Sequence, residues 1–287
     1  MDVRRLHSVD AFLALAGDFL GAREAEHNLI FGICASLAAD ASGGAAAGHI
    51  TAAPPLFAVV VDGGHVAGAA LQTPPRDLVL SEMDDPLALS ALIDDLIGVP
   101  LPGVIGPPAL SGAFAEAWSR RTGTPTQWAM SERIFRLAEV RPPRTAPGTM
   151  VAAGPGNRQL IVDWLIAFVD EAFAGEELFD AGEAADRWIA GRGRTMWLWV
   201  DDGRVVSMSG VSGRTPNGVR IGPVYTPPEA RNRGYASNLV AEAAQGELDD
   251  GRQFVFLFTD LANPTSNHIY QAIGFEPVSD VDRHVFR

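Results

Sequence analysis

The amino-acid sequence predicts an α/β (α+β) fold made of two domains that share one order of elements. Three observations carry this. An Asp-Gly turn between apolar runs occurs twice, as Val61-Asp62-Gly63-Gly64-His65-Val66 and as Val200-Asp201-Asp202-Gly203-Arg204-Val205, and each is a hairpin signal. The endings Ile134-Phe135-Arg136 and Val285-Phe286-Arg287 also match, which marks an internal repeat. Between the copies, Ala138 to Gly148 carries Pro142, Pro143, Pro147 and Gly148, a composition that excludes a continuous helix and favours an extended connection. The expected domains are therefore residues 1–140 and 149–287.

Length agrees, since 287 residues at roughly 150 per domain give two. With 47% hydrophobic and 20% charged residues, each half can bury a core and neither has a disordered composition. No run of about 18 apolar residues occurs, and Met1-Asp2-Val3-Arg4-Arg5 leads into an amphipathic helix. Neither a membrane span nor a signal peptide is expected, and the expected location is the cytoplasm. Cys34, the single cysteine, lies in Leu29-Ile30-Phe31-Gly32-Ile33-Cys34 and reads as a small buried hydrophobe. The formal net charge of −13, from 22 basic and 35 acidic residues, argues against a nucleic-acid partner, which needs a basic face. It is compatible with a cationic substrate, although acidic surfaces mostly serve solubility.

In chain order, the first domain is expected to hold a strand and helix within 1–20, a helix over Glu24 to Ala39, and a loop of small residues at Ala41 to Gly48. The hairpin at Phe57 to Ala69 follows, then a strand at Leu78 to Met83, a helix at Pro86 to Ile97, and a buried strand at Gly103 to Gly106. A helix at Ser111 to Arg121 and a strand or strand pair at Gln127 to Leu137 complete it. The second domain repeats this order: a strand at Met150 to Ala153, helices at Asn157 to Phe173 and Gly182 to Ala190, and the hairpin Met196 to Val211.

The end of the second domain carries the chemistry. Gly218 to Tyr225 alternates like a strand, Ser237 to Leu248 reads as an amphipathic helix, and Arg231-Asn232-Arg233-Gly234-Tyr235-Ala236-Ser237 joins them. A glycine at a helix entrance lets a ligand approach the backbone, and first-turn N–H groups at the positive end of a helix dipole make an anion cradle. Arg231 and Arg233 add positive charge, so the expected ligand carries phosphate. Phe254-Val255-Phe256-Leu257-Phe258 reads as a strand buried on both faces, followed by Asn263-Pro264-Thr265-Ser266-Asn267-His268-Ile269-Tyr270-Gln271-Ala272-Ile273-Gly274-Phe275.

Arg231-x-x-Gly234-x-Ala236 after a strand resembles the pyrophosphate-binding motif of the GNAT (Gcn5-related) N-acetyltransferases, and Asn263 to Phe275 resembles that family's next motif. The resemblance covers about residues 150–287 by motif and the first half by shape. It implies two tandem GNAT-like domains, each a mixed, mostly antiparallel sheet flanked by helices. It implies acetyl-CoA as acyl donor and no metal. Val224, Tyr225 and Thr226 would offer backbone groups to the pantetheine arm, and the amides from Asn232 to Ser237 would hold the pyrophosphate. Tyr270 would protonate the departing thiolate. Asn263 and Asn267 would bind the pantetheine or cap the helix.

The implied reaction is acetyl transfer to a primary amine of a small molecule or peptide by direct attack, with no enzyme nucleophile, in keeping with the lack of a Ser-His-Asp or Cys-His arrangement. The alternative is a non-catalytic acyl-CoA-binding sensor or scaffold. A longer acyl group and a homodimer are both compatible with the sequence. No general base stands out: Asp260 reads as a turn residue as readily as a site residue, His268 as a surface residue, and Glu171, Glu176, Glu177 and Asp180 as solvated surface more than a cation-attracting cluster. In the first half, Asp84-Asp85 stands where the cradle belongs and Ser119 where the tyrosine belongs, so that half reads as a degenerate copy without a cofactor site, or as an unrelated α/β domain.

Overall fold

The computed structural model describes residues 1–42, 53–173 and 180–287. Residues 43–48 of the expected small-residue loop, and Glu176 and Glu177 of the acidic cluster, lie outside the described residues. The elements of the first half are β1 (Asp2–Leu6), α1 (Val9–Gly21), α2 (Asn28–Ser42), β2 (Leu56–Asp62), β3 (His65–Gln72), β4 (Leu78–Leu80), α3 (Pro86–Leu96), β5 (Gly103–Gly106), α4 (Pro108–Thr122) and β6 (Thr126–Leu137). Those of the second half are β7 (Thr149–Ala152), α5 (Arg158–Ala172), α6 (Ala181–Ala190), β8 (Thr195–Asp201), β9 (Arg204–Ser212), β10 (Gly218–Tyr225), α7 (Tyr235–Asp249), β11 (Phe254–Asp260), α8 (Pro264–Ala272) and β12 (Glu276–Phe286). The mixed α/β class expected from the sequence is the one observed.

The residues group into two compact units. The first comprises Met1–Ala38, His49–Ile134 and Val278–Arg287. Its strand order is β1-β2-β3-β4-β5-β12-β6, with β4 and β5 parallel and the pairs β1–β2, β2–β3, β3–β4 and β5–β12 antiparallel. Strand β2 is buried at Phe57 to Val61, because helices cover both of its faces. On one face, Phe12, Ala16 and Leu20 recur every four residues along α1 and pack with Phe57, Val59 and Leu71. On the other, Leu89, Leu92 and Ile93 of α3 and Phe114 and Trp118 of α4 close over Ala58, Val60 and Leu78.

The second unit comprises Phe135–Pro277 with the end of α2 from Ala39. Its sheet runs β6-β11-β10-β9-β8-β7, with β10 and β11 parallel and β10–β9, β9–β8 and β8–β7 antiparallel. Helices α5 and α6 pack Ile161, Leu165 and Ala185 on one face, against Met196, Leu198 and Met208. On the other face, Val240, Ala243 and Ala244 of α7 pack on Val211, Val219 and Ile221.

These units do not follow the cut at 140/149. Sequence order places the last strand with the second domain, yet Asp282 to Val285 pair antiparallel with Gly106 to Gly103 of β5. Arg283 Nε donates to Asp77 Oδ2 at 2.6 Å, and Phe286 stacks on Phe114 and Trp118 with ring centroids 6.3 and 6.0 Å apart. The reason is an exchange of repeat ends. Phe135 of the first ending is fully buried in the second unit's core, while Phe286 of the second ending packs into the first unit's core.

His27 bridges the end of α1 and the segment after β4. Its ring is buried, Nδ1 donates to the Leu20 carbonyl at 2.9 Å, and Nε2 accepts the Glu82 N–H at 3.0 Å. This pairing requires the neutral ring. Burial, the largest cause, lowers its pKa below the ordinary 6.5, while the Leu20 carbonyl and Glu26 pull upward and Arg23 adds to the lowering. The unfolded chain therefore takes up the proton first, and stability falls as pH drops below about 6.5. His27→Gln offers an acceptor and a donor without titrating, so its melting temperature should fall less than that of the wild type between about pH 6.5 and 5. Equal slopes in thermal melts would remove His27 from the acid limb.

Candidate functional site

The site begins where a ladder stops. Parallel pairing of β10 and β11 covers Gly218↔Phe254, Val219↔Val255 and Arg220↔Phe256 only, although β10 continues to Tyr225 and β11 to Asp260. On its other side, β10 keeps pairing with β9 across an irregularity between Ile221 and Val224, where Gly222-Pro223 sits with a cis peptide bond. Pro223 has no N–H to give to either neighbour. Beyond Arg220, the β11-facing edge of β10 is left without its strand partner.

The turn after β10 delivers the cradle. Its backbone takes positive φ at Asn232 (62°) and Gly234 (81°), and Gly234 precedes α7 without any side-chain cap. The amides of Asn232, Arg233, Gly234, Tyr235, Ala236 and Ser237 have no acceptor among the described residues; the first that does is Asn238, bonded to the Gly234 carbonyl at 3.0 Å. A Cβ at Gly234 would lie 3.6 Å from Ala146 and from Asn238 Nδ2, which is ordinary contact. The left-handed φ, and not crowding by the protein, is therefore what calls for glycine there. Asn238 also donates to the Arg144 carbonyl at 2.9 Å and accepts from the Ala146 amide at 3.3 Å, which ties the proline-rich connection to α7.

Side chains around this turn are largely spoken for by the protein. Arg231 Nε donates to the Thr226 carbonyl at 2.9 Å, and its Nη2 donates to both carboxylate oxygens of Glu171 at 2.7 and 2.8 Å. Its guanidinium carbon stands 5.9 Å from the Tyr225 ring centroid. Arg233 lies beside the Tyr235 hydroxyl, which donates to Asp201 Oδ2 at 2.5 Å; that bond is the first cause raising the pKa of Tyr235. The Tyr235 ring is buried against Trp199 and Leu239. Val224 packs partly buried on the α7 side, and Tyr225 is buried on the α5 side against Trp164, with centroids 5.8 Å apart. The Thr226 hydroxyl meets the Ser207 hydroxyl at 2.8 Å, and Ser207 donates to the Tyr225 carbonyl at 3.2 Å.

The second motif closes the other side of the opening. Asn263 caps α8, its Oδ1 accepting the Ser266 amide at 3.0 Å. Asn267 Nδ2 donates to the carbonyls of Asp260 (3.2 Å) and Asn263 (2.9 Å), but its Oδ1 is buried with no partner among the described residues. A buried acceptor without a donor is destabilising by about 1–3 kcal/mol, so the position suits a ligand N–H. Tyr270 is only 9% exposed, its ring edge-on to Phe275 with centroids 5.9 Å apart. Burial pushes its hydroxyl up to about 12.

Among the remaining candidates, Asp260 Oδ1 accepts the Ala262 amide at 2.8 Å and so holds a turn, and His268 is exposed. Asp180 caps α6 by accepting the Glu183 amide at 2.8 Å, and Glu171 is the partner of Arg231. Sequence reasoning missed Ser209, which faces Val224 in the β9–β10 register and is fully buried with an unpaired Oγ among the described residues. The signal was there, as Ser207 and Ser209 are polar residues inside an apolar strand. No group of three His, Cys, Asp or Glu able to hold a metal occurs among the described residues, and no helix among them is long and apolar enough to cross a membrane.

In the first half the matching place is occupied by its own side chains. Asp85 caps α3, its Oδ1 accepting the Leu87 amide at 2.8 Å, and Pro86 has no N–H to offer. Asp84 faces Arg23 at 3.4 Å, and the Ser119 carbonyl accepts the Gly123 amide at the end of α4.

Comparison with known proteins places this geometry. A Drosophila protein of known structure aligns over 99% of this chain and 98% of its own, with a TM-score of 0.71 at 14% identity. A tandem GNAT protein from the clavulanic acid biosynthesis pathway aligns over 99% and 98%, with a TM-score of 0.62 at 14% identity. An acetyltransferase of the GNAT family from Colwellia psychrerythraea aligns over the whole of both chains, with a TM-score of 0.55 at 10% identity. At such identities the likeness is one of fold, and it extends over both halves. A search of curated proteins finds no match. Residues 160–275, which contain the open strand edge, the cradle and the second motif, match the model of the acetyltransferase (GNAT) family. Residues 160–275 are thus a GNAT-family domain, a family whose general chemistry is acyl transfer, in a chain whose overall fold is similar to that of a tandem GNAT protein.

Proposed function

We propose that the chain is an N-acetyltransferase that moves the acetyl group of acetyl-CoA to a primary amine of a small molecule or peptide in a ternary complex. The observation that carries this is the run of six amides, Asn232 to Ser237, left without acceptors beside the unpaired edge of β10. Amides at a helix N-terminus bind a diphosphate through short, directed hydrogen bonds. An open strand edge and the Asn267 Oδ1 offer acceptors and donors to a ligand arm that is itself built of amides.

The donor supplies an activated thioester. The amine nitrogen forms a bond to the acetyl carbon, an amide of the β10 edge stabilises the oxygen that gains charge, and the C–S bond then breaks. Tyr270 gives its proton to the sulfur. Its raised pKa keeps it protonated throughout the neutral range, which is the state a general acid needs. The amine's proton leaves to solvent. The first half, with Asp85 seated on its own helix amide and Asp84 beside it, is a degenerate copy that takes no acyl-CoA, so each chain binds one donor.

Calorimetry with acetyl-CoA should show one site per chain in the wild type. Gly234→Val forces a β-branched residue into left-handed backbone, at about 1–2 kcal/mol, and places methyl groups where the phosphates approach. Its affinity should drop severely while the fold persists by circular dichroism. Unchanged affinity in a folded variant would sink the cradle.

Thiol release against a panel of amines tests the transfer itself. Tyr270→Phe should lower turnover by roughly 10²–10⁴-fold with little change in donor affinity. Near-normal turnover where chemistry limits the rate would make Tyr270 a packing residue. Saturable binding with no release on any amine would leave the non-catalytic sensor or scaffold.

A further inference from the structure

We infer that Glu171 and Arg231 act together as a positioning pair for the donor site, and that Arg231 is not itself a phosphate ligand. The inference rests on the acyl-CoA reading of the cradle. Arg231 opens the turn whose amides form the cradle, and its guanidinium is engaged on two sides. Nε closes the loop back onto the Thr226 carbonyl at 2.9 Å, at the end of β10, and Nη2 is held by both Glu171 oxygens at 2.7 and 2.8 Å. Its guanidinium carbon stands over the Tyr225 ring, 5.9 Å from the centroid.

Three elements therefore meet on one side chain: the end of β10 through Thr226, the last turn of α5 through Glu171, and the cradle turn through the Arg231 backbone, whose amide is bonded to the Pro228 carbonyl at 3.3 Å. Immediately afterwards the chain enters positive φ at Asn232, a conformation that a non-glycine residue holds when its surroundings fix it. Fixing Arg231 fixes the direction in which the following amides point. Glu171 supplies that fixation from α5, the helix on the opposite side of the sheet from α7.

The sign of the effect separates this from simple electrostatics. Glu171 is a negative charge near an anion seat, so by Coulomb's law alone Glu171→Gln should tighten acetyl-CoA binding. If Glu171 positions the turn, Glu171→Gln should weaken binding despite losing the repulsion. Both side chains are about half exposed (50% and 40%), so neither substitution empties the core.

The test is a double-mutant cycle by calorimetry with acetyl-CoA as titrant, using wild type, Glu171→Gln, Arg231→Gln and the double variant, with kcat and KM for the donor measured in parallel. Each single variant should raise Kd by roughly three- to tenfold, and the double variant by no more than the worse single, because both changes remove one device. KM for the donor should rise with them while kcat stays near that of the wild type. Tighter binding by Glu171→Gln, or effects of the two variants that multiply, would overturn the inference and return Arg231 to the phosphates. Absence of acetyl-CoA binding by the wild type would overturn it together with the donor reading.

Discussion

Everything specific about the second half follows from one interruption in hydrogen bonding. A strand buried in a sheet must find partners for its N–H and C=O groups on both edges. Strand β10 does so only as far as Arg220, where its ladder with β11 ends, and on the β9 side it carries the irregularity at Gly222-Pro223. Closing the ladder would stabilise the sheet and abolish the opening. The parallel arrangement is what permits both outcomes, because β10 and β11 are joined through a whole helix, α7, and no tight turn forces their ends together. The same helix brings its N-terminus to the end of β10, so a backbone with spare groups and a helix end with spare donors arrive at one place.

The first half shows how little is needed to close such a place. It has the same order of strand, turn and helix, with β4 and β5 parallel over Leu78↔Val104 and Val79↔Ile105. Yet fewer donors are spare there. The Glu82 amide is taken by His27, the Leu87 amide by Asp85, and position 86 is a proline. A carboxylate from the protein sits where an external anion would, which is favourable for a helix N-terminus and does not depend on a ligand. Stability and binding compete for the same first-turn donors: in the first half a protein carboxylate takes the Leu87 amide, and in the second the amides from Asn232 to Ser237 have no acceptor among the described residues.

What could be read in the sequence was whatever is local. The Asp-Gly hairpins, the glycine at the start of α7 and the breaks at the prolines depend on neighbours a few residues apart, and they fell where expected. The exchange of β12 did not, because Val285-Phe286-Arg287 names an apolar strand end but not which of two similar cores will take it. The engagement of Arg231 by Glu171 was equally hidden. An arginine in a phosphate motif and a glutamate sixty residues earlier have no sequence relation, and only the packing of α5 beside β10 brings the carboxylate within 2.7 Å. Asn267 was legible as a residue type, but the unpaired state of its Oδ1 follows from its Nδ2 being spent on two carbonyls.

The acidic balance of the chain and the proposed anion cradle are less opposed than they look. Thirteen excess negative charges spread over the surface act through water and salt, and beyond a Debye length of about 8 Å at physiological ionic strength they are largely screened. Backbone amides act at hydrogen-bond distance, cannot titrate, and keep their direction as long as the turn does. A cradle built from amides is therefore indifferent to net charge in a way that a patch of lysines is not. It would depend instead on geometry, which the positive φ at Asn232 and Gly234 sets. If the pair acts as inferred, Arg231, ion-paired with Glu171, contributes shape to the site before it contributes charge.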